Sequence, residues 1–200
     1  MPARNVMKEY DIPAYYHVYN RGSAGRTIFH DTEDHQKFLS LVARYLGYGE
    51  RSDNRGYIYP EFAVEIIAYC LMTNHYHFLM YQERDIDAIS KLMHAVSTAY
   101  TMYFNKKYKQ QGHLFQSTFK ASRIANEAYL MHITRYIHMN PYDYDAYHWS
   151  SLGTYLGGDH PKWLKPGRAV TMSPAQYGAF LNDYNDRKAE LKLLKSMLAD

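Results

Sequence analysis

The sequence predicts an α+β protein built on an antiparallel sheet, with helices on one face and a helical appendage at the C-terminus. Its composition, 46% hydrophobic and 22% charged over 200 residues, is typical of one ordinary globular domain with or without an appendage. Short aromatic and β-branched stretches alternate with stretches of helical periodicity. Two histidines one residue apart interrupt one apolar stretch, "CLMTNHYHFLM" at 70–80.

The N-terminal part predicts a strand followed by a helix. The stretch "AYYHVYNRG" at 14–22 is aromatic and β-branched and ends in an Asn-Arg-Gly turn, which favours a strand. Residues 31–49 repeat apolar side chains at helical spacing, with acids in the first turn. Either Asp31 or Thr32 can serve as the N-cap of this helix.

Two further strands are predicted to form a hairpin. "FAVEIIAYCLM" at 62–72 and "HYHFLMYQ" at 75–82 are both apolar, and a Thr-Asn turn separates them. Side chains alternate between the two faces of a strand, so His75 and His77 emerge together at the start of the second strand.

The pattern continues with a helix, a strand and another helix. Residues 85–109 repeat apolar side chains at helical spacing and end in a basic turn. Residues 112–125 predict a loop leading to a short strand, and residues 126–140 a third helix that Pro141 ends. The first six elements of this β-α-β-β-α-β-α order match a ferredoxin-like split unit.

The C-terminal quarter predicts irregular structure followed by a helix. Glycine, proline and aromatic residues are frequent between residues 142 and 170. Within this part, Trp163 in "PKWLKPGR" has the basic and aromatic neighbours that suit base stacking, although a simple loop anchor explains it equally well. Ser173 and Pro174 form a good N-cap and first helical position for the final amphipathic helix.

Composition also limits the cellular setting and the partners. The single cysteine, Cys70, excludes an internal disulfide framework and a cysteine zinc cluster, and favours a reducing cytoplasm. We expect neither a signal peptide nor a membrane span. The net charge of +3 permits nucleic-acid binding, and the 22 tyrosines include side chains that can stack on unpaired bases.

Two pairs of residues have the chemistry of a site. His75 and His77 share one face of a strand, which suits a metal ion, although a strand histidine is more often simply packed or hydrogen-bonded. Tyr136 and Asn140 lie four residues apart in the third predicted helix and therefore on one face. An amide oxygen can ligate a hard cation and a phenol can act as a nucleophile. The competing interpretation is a core tyrosine and a helix stop before proline.

Several ordered motifs resemble one family. They are "YHVYNRG", "IFHDTEDHQKFLSLV", "YCLMTNHYHFLM", "GHLFQSTFK", "YLMHITRYIHMNP" and "WSS". Together they resemble the single-tyrosine HUH transposases, and more closely the REP-associated tyrosine transposases. The resemblance covers about residues 14–151. It implies an HUH nuclease domain at 1–151, with residues 152–200 as an accessory segment. Tyr76, between the histidines, replaces the aliphatic residue that is common there.

The resemblance implies a metal-dependent single-stranded DNA endonuclease and strand transferase that acts on hairpin or repeat DNA. His75, His77 and Asn140 would hold Mg²⁺ or Mn²⁺, and Tyr136 would form a 5′-phosphotyrosine intermediate. The partner would be single-stranded or hairpin DNA, the protein a monomer or homodimer, and the location cytoplasmic and nucleoid-associated. Two alternatives stay open: a catalytically silent module that binds structured DNA, and a metal-dependent phosphodiesterase that does not use the tyrosine.

Basic residues near the predicted motifs are candidates for DNA contact, although a solvated charged edge explains each of them about equally well. The candidates are Arg21, Lys106, Lys107, Lys109, Lys120 and Arg123. The general base stays unassigned among Arg135, His138, His132 and a metal-bound water.

Overall fold

The computed structural model describes residues 10–183. The element order of the sequence prediction is confirmed through the third helix. The strands are β1 (Ala14–Arg21), β2 (Val64–Met72), β3 (His75–Gln82) and β4 (Lys120–Ile124). The helices are α1 (Thr32–Tyr45), α2 (Ala88–Lys107), α3 (Leu130–His138), α4 (Leu152–Tyr155) and α5 (Pro174–Asn182).

The four strands form one antiparallel sheet in the order β2-β3-β1-β4. β2 and β3 are the predicted hairpin, joined by Thr73 and Asn74. β3 lies between β2 and β1, so the two histidines occupy a central strand. His75 is paired with Arg21 of β1 on one side and with Met72 of β2 on the other.

Helices α1 and α2 cover one face of the sheet and enclose the first core cluster, which includes Phe38, Met93, Tyr100, Tyr76 and Phe78. The even-numbered residues of β3 point into this cluster, as strand alternation requires. Asp31 is the N-cap of α1 and accepts from the Asp34 amide at 2.9 Å. Tyr76, between the two histidines, is fully buried here, so its ring serves packing.

Helix α3 lies against the other face and forms the second core cluster. Ile133 and Ile137 of α3 pack with Leu79, Ile67 and Cys70 of the sheet. Cys70 is fully buried, and burial raises the pKa of its thiol. The odd-numbered side chains of β3 therefore divide between a packed end near Leu79 and a polar end at the histidines.

Helix α3 is shorter than the sequence predicts. A 3₁₀ turn at Glu127–Tyr129 precedes it, and its last residue is His138. Asn140 therefore follows the helix end by two residues, because a residue before proline is disfavoured in helical conformation.

The described part of the C-terminal segment packs on the domain. Trp163 is only 7% exposed and lies in the first core cluster with its ring 5.7 Å from Tyr69, so it is a loop anchor and the base-stacking interpretation is wrong. Next to it, the Lys165 amide donates to the Ile66 carbonyl at 2.8 Å. Ser173 caps α5 in a capping box with Gln176. The leucine and lysine residues predicted to continue this helix beyond Asp183 lie outside the described residues.

A buried polar network joins α5 to α3. The Tyr177 hydroxyl donates to Thr134 at 3.0 Å and lies 2.8 Å from Nδ1 of His138. The other ring nitrogen of His138 lies 2.7 Å from the Ser151 hydroxyl. These contacts fix the C-terminal half of α3 to two later segments of the same chain.

We expect Tyr177→Phe to lower the free energy of unfolding by about 1–3 kcal/mol, because it leaves the buried Nδ1 of His138 without a partner and removes one of the two hydrogen bonds of the Thr134 hydroxyl. Urea unfolding followed by circular dichroism would measure the change. The matched control is Tyr142→Phe, since Tyr142 is fully exposed and should change stability by less than about 0.5 kcal/mol. An equal effect of the two substitutions would contradict the role given to the network.

Among residues 10–183, no helix has both the length and the apolar character needed to cross a membrane.

Candidate active site

The polar end of β3 carries both histidines of the sequence prediction on the face that α3 partly covers. Their ring centroids are 5.1 Å apart and the rings are perpendicular. His77 is 6% exposed, whereas His75 is more accessible. Burial lowers the pKa of both imidazoles; at His75 a hydrogen bond with Asn140 opposes this shift and the charge of Arg21 adds to it. Both rings are therefore neutral at neutral pH, the form that can ligate a metal.

His75 faces an oxygen acceptor at each ring nitrogen. Nδ1 lies 2.6 Å from Oδ1 of Asn74, and Nε2 lies 3.0 Å from Oδ1 of Asn140. A neutral imidazole carries one ring proton and can donate to only one of these oxygens. With the proton in the shorter contact to Asn74, the lone pair of Nε2 faces the lone pairs of Asn140. A cation between these two atoms would satisfy both.

The spacing of these two atoms fits a small divalent ion. Octahedral ligands of Mg²⁺ lie at about 2.0–2.1 Å, so two of them at a right angle are about 3 Å apart. The observed distance between His75 Nε2 and Asn140 Oδ1 is 3.0 Å. The donor set of two imidazoles and one amide therefore fits the predicted metal.

A third histidine, His17 of β1, joins the site. It is 1% exposed, and its Nε2 lies 2.9 Å from Nδ1 of His77. The two rings are nearly parallel, at 6° with centroids 5.0 Å apart. Burial lowers the pKa of His17 to about 3. His17 was not among the site residues predicted from the sequence, although strand alternation places it on the same face as Tyr15 and Tyr19.

Tyr136 of α3 reaches the same place. Its ring meets His77 edge to face at 5.7 Å and His17 at 5.8 Å. Burial is the main cause that raises the pKa of the Tyr136 phenol, Tyr19 adds to it, and a hydrogen bond with Asn140 opposes it. The structure thus brings the four predicted site residues together: His75, His77, Tyr136 and Asn140.

The side chains considered as a general base have other contacts in the fold. Both ring nitrogens of His138 are engaged, with Tyr177 and Ser151. Arg135 is 1% exposed and packs against Phe180 of α5, with its guanidinium 4.2 Å from the ring centroid and 3.2 Å from His132. These contacts fix α3 to its neighbours in the fold.

The basic candidates for DNA contact fall into two groups. Arg21 and Lys120 lie beside the site, since Arg21 pairs with His75 in the sheet and the Lys120 ammonium lies 5.7 Å above the ring of Tyr19. Lys106 and Lys109 lie at or just after the C-terminal end of α2, the helix that covers the face of the sheet opposite to the histidines.

The remaining two candidates are already paired with acids. Lys107 contacts Asp31, Glu33 and Asp34 at 2.9 Å each, which ties α2 to the start of α1. Arg123 lies 3.0 Å from Asp11. Their charges are partly neutralised within the protein.

Two comparisons with known proteins give a match. Residues 55–140 match the family model described as "Transposase IS200 like", a segment that contains all four of the predicted site residues. A REP-associated tyrosine transposase, solved bound to a REP hairpin, has a similar structure with a TM-score of 0.60 and 16% identity, covering 86% of this chain and 96% of that one. The tRNA(His) guanylyltransferase of Saccharomyces cerevisiae gives a TM-score of 0.41 and 13% identity, covering 88% of this chain and 76% of that one. No significant match is found among curated proteins.

The family match ends at Asn140, and the structural similarity covers 86% of this chain. Both agree with the family resemblance of the sequence motifs. Over residues 55–140 the chain is thus similar to the IS200-like transposases, and its fold is similar to that of a REP-associated tyrosine transposase.

Proposed function

We propose that this protein is a single-tyrosine HUH transposase that cleaves and rejoins single-stranded DNA with Tyr136 as the nucleophile, at sites that carry hairpin or repeat sequences. The observation that carries the proposal is the convergence of Tyr136, Asn140, His75 and His77 on one point of the sheet. These residues come from a central strand and from the end of a helix anchored by a buried network.

His75, His77 and Asn140 would hold a divalent ion, Mg²⁺ or Mn²⁺. When bound, the ion would stabilise the charge that develops on the phosphate oxygens and orient the scissile bond. Mn²⁺ accepts nitrogen ligands more readily than Mg²⁺, so we expect it to support activity at least as well.

The reaction exchanges one phosphodiester for another. The Tyr136 oxygen forms a bond to phosphorus, the bond from phosphorus to the 3′ oxygen breaks, and that oxygen leaves as a hydroxyl after taking up a proton. The DNA is then linked to the tyrosine through its 5′ phosphate. Attack by a second 3′ hydroxyl reverses the step onto another strand and regenerates the phenol, so no nucleoside triphosphate is required.

Hairpin DNA is the proposed substrate because the similar solved transposase binds a REP hairpin. The Arg21 and Lys120 side chains stand beside the site, where they suit phosphates that flank the cleaved bond. Lys106, Lys109, Lys107 and Arg123 complete the proposed set, and the last two would have to share their charges with their acidic partners.

One chain supplies the complete set of side chains. Tyr136, the three proposed ligands and His17 contact one another within a single molecule. We therefore propose that the monomer is sufficient for cleavage. Residues 1–151 would form the catalytic domain, and residues 152–200 would support α3 as an accessory segment.

Covalent trapping tests the proposal. Labelled single strands bearing hairpins from the flanks of the gene are incubated with the protein and Mn²⁺, then separated in denaturing detergent. A labelled protein band is expected. Cleavage without any adduct would favour a phosphodiesterase that does not use the tyrosine, and binding without cleavage would favour a catalytically silent module.

We expect Arg21→Ala and Lys120→Ala each to weaken hairpin binding and to reduce the slope of log K against log salt by about 1, because each removes one phosphate contact. Fluorescence anisotropy at several salt concentrations measures both quantities. Arg51→Ala is the matched control, since Arg51 pairs with Glu61 at 2.8 Å near the opposite end of β2. An unchanged slope in both site variants would remove these residues from the DNA interface.

A further inference from the structure

His17 makes a contact with His77 that the proposed chemistry has not used. His17 lies on β1, the neighbour of β3, and its side chain shares the face of the site. Its Nε2 and Nδ1 of His77 are 2.9 Å apart, and both rings are more than nine-tenths buried. Water therefore does not compete for this hydrogen bond. One proton lies between the two nitrogens, and either His17 or His77 is its donor.

Two arrangements of that proton are possible. If His17 donates through Nε2, then Nδ1 of His77 accepts and the remaining proton of neutral His77 must lie on its Nε2. If His77 donates through Nδ1, its Nε2 is left with a free lone pair. Only the second arrangement gives His77 a metal-binding nitrogen, because its Nδ1 is already occupied by His17.

We propose that His17 is a positioning residue that accepts the Nδ1 proton of His77 and so presents the Nε2 lone pair of His77 to the metal. This inference rests on the proposed metal site and adds a residue that was not among the site residues predicted from the sequence. A metal-bound histidine ordinarily donates its other ring proton to an acceptor, which fixes the tautomer and the ring orientation.

The surroundings of His17 suit this task. Its Nδ1 is buried and has no hydrogen-bond partner in the described part of the chain. No neighbouring group therefore determines whether the ring proton of His17 lies on Nδ1 or on Nε2. The ring itself is held in place by three aromatic neighbours, with its centroid 5.0 Å from that of Tyr19, 5.0 Å from that of His77 and 5.8 Å from that of Tyr136. His17 can therefore adopt the tautomer that the metal requires of its partner while keeping the His77 ring aligned.

The first test measures Mn²⁺ affinity without DNA, by electron paramagnetic resonance of free Mn²⁺, in wild type, His17→Gln and His17→Leu. The glutamine oxygen can replace the Nε2 acceptor, so its affinity should stay within about threefold of wild type. Leucine has no acceptor and should weaken binding by about 10- to 100-fold. The control is His35→Leu, which removes a buried histidine that stacks on Trp149 at 4.5 Å and should leave the affinity unchanged.

Equal losses in the glutamine and leucine variants, or no loss in the leucine variant, would overturn the inference. Failure of wild type to bind Mn²⁺ at all would instead overturn the metal part of the proposed function. The second test needs no substitution and so does not depend on a folded variant. Nitrogen-15 spectra of the histidine rings of the wild type with Mg²⁺ should show the proton of His77 on Nδ1, and a proton on Nε2 would overturn the inference.

Discussion

Tyr136→Phe should abolish the covalent protein–DNA adduct and lower cleavage by about 10³-fold or more, since it removes the oxygen that we propose as the attacking atom. The ring remains, so its edge-to-face contacts with His77 and His17 should persist and DNA binding should be retained. Labelled hairpin-bearing single strands analysed in denaturing detergent report the adduct, and anisotropy reports binding.

Tyr142→Phe is the matched control for this substitution. Tyr142 lies two residues after Asn140 and is fully exposed, so it is the nearby tyrosine most accessible to DNA. The control should form the adduct at the wild-type level. An adduct that survives in Tyr136→Phe, or a nucleotide mapped to another tyrosine such as Tyr129, Tyr142 or Tyr144, would show that the nucleophile is wrongly assigned.

Replacing His75 and His77 together with alanine should abolish Mn²⁺ binding and metal-dependent cleavage. His77 is buried and hydrogen-bonded to His17, so we also expect a loss of about 1–3 kcal/mol in stability, more than an exposed ligand would cause. Circular dichroism should still show a folded protein, because the two core clusters lie beyond these side chains.

The control for the histidine pair is alanine at His148 and His160 together. Both are exposed and lie outside the sheet, so this variant should bind Mn²⁺ and cleave DNA as the wild type does. Unchanged cleavage by the His75 and His77 double variant in Mn²⁺ buffer would refute the metal site while leaving the fold and the nucleophile untouched.

The fold could be predicted because each strand and helix has its own periodicity. Alternation in "HYHFLMYQ" separates Tyr76 and Phe78, which enter the first core cluster, from His75 and His77 on the other face. The split β-α-β-β-α-β order fixes β3 in the centre of the sheet. The ends of the helices were harder to predict from the sequence, because the 3₁₀ turn before α3 depends on packing that periodicity does not encode.

The site could be predicted only as far as the motifs reach. His75, His77, Tyr136 and Asn140 stand in recognisable spacing, whereas His17 lies 60 residues from His77 in the sequence and meets it only through the pairing of β1 with β3. A helical wheel of α3 does not show that its other polar side chains, Arg135 and His138, are engaged by α5 and Ser151. The position of His17 and the contacts of Arg135 and His138 both depend on long-range packing, which single-sequence patterns do not contain.

The burial of Cys70 makes the protein convenient for spectroscopic labelling. Its thiol is the one cysteine of the sequence, is fully buried, and has a raised pKa that keeps it protonated and unreactive towards maleimides at neutral pH. A cysteine introduced at the fully exposed position of Tyr142 would therefore be labelled selectively without first removing the native one. A fluorophore there, two residues from Asn140, would report the arrival of DNA at the site in real time.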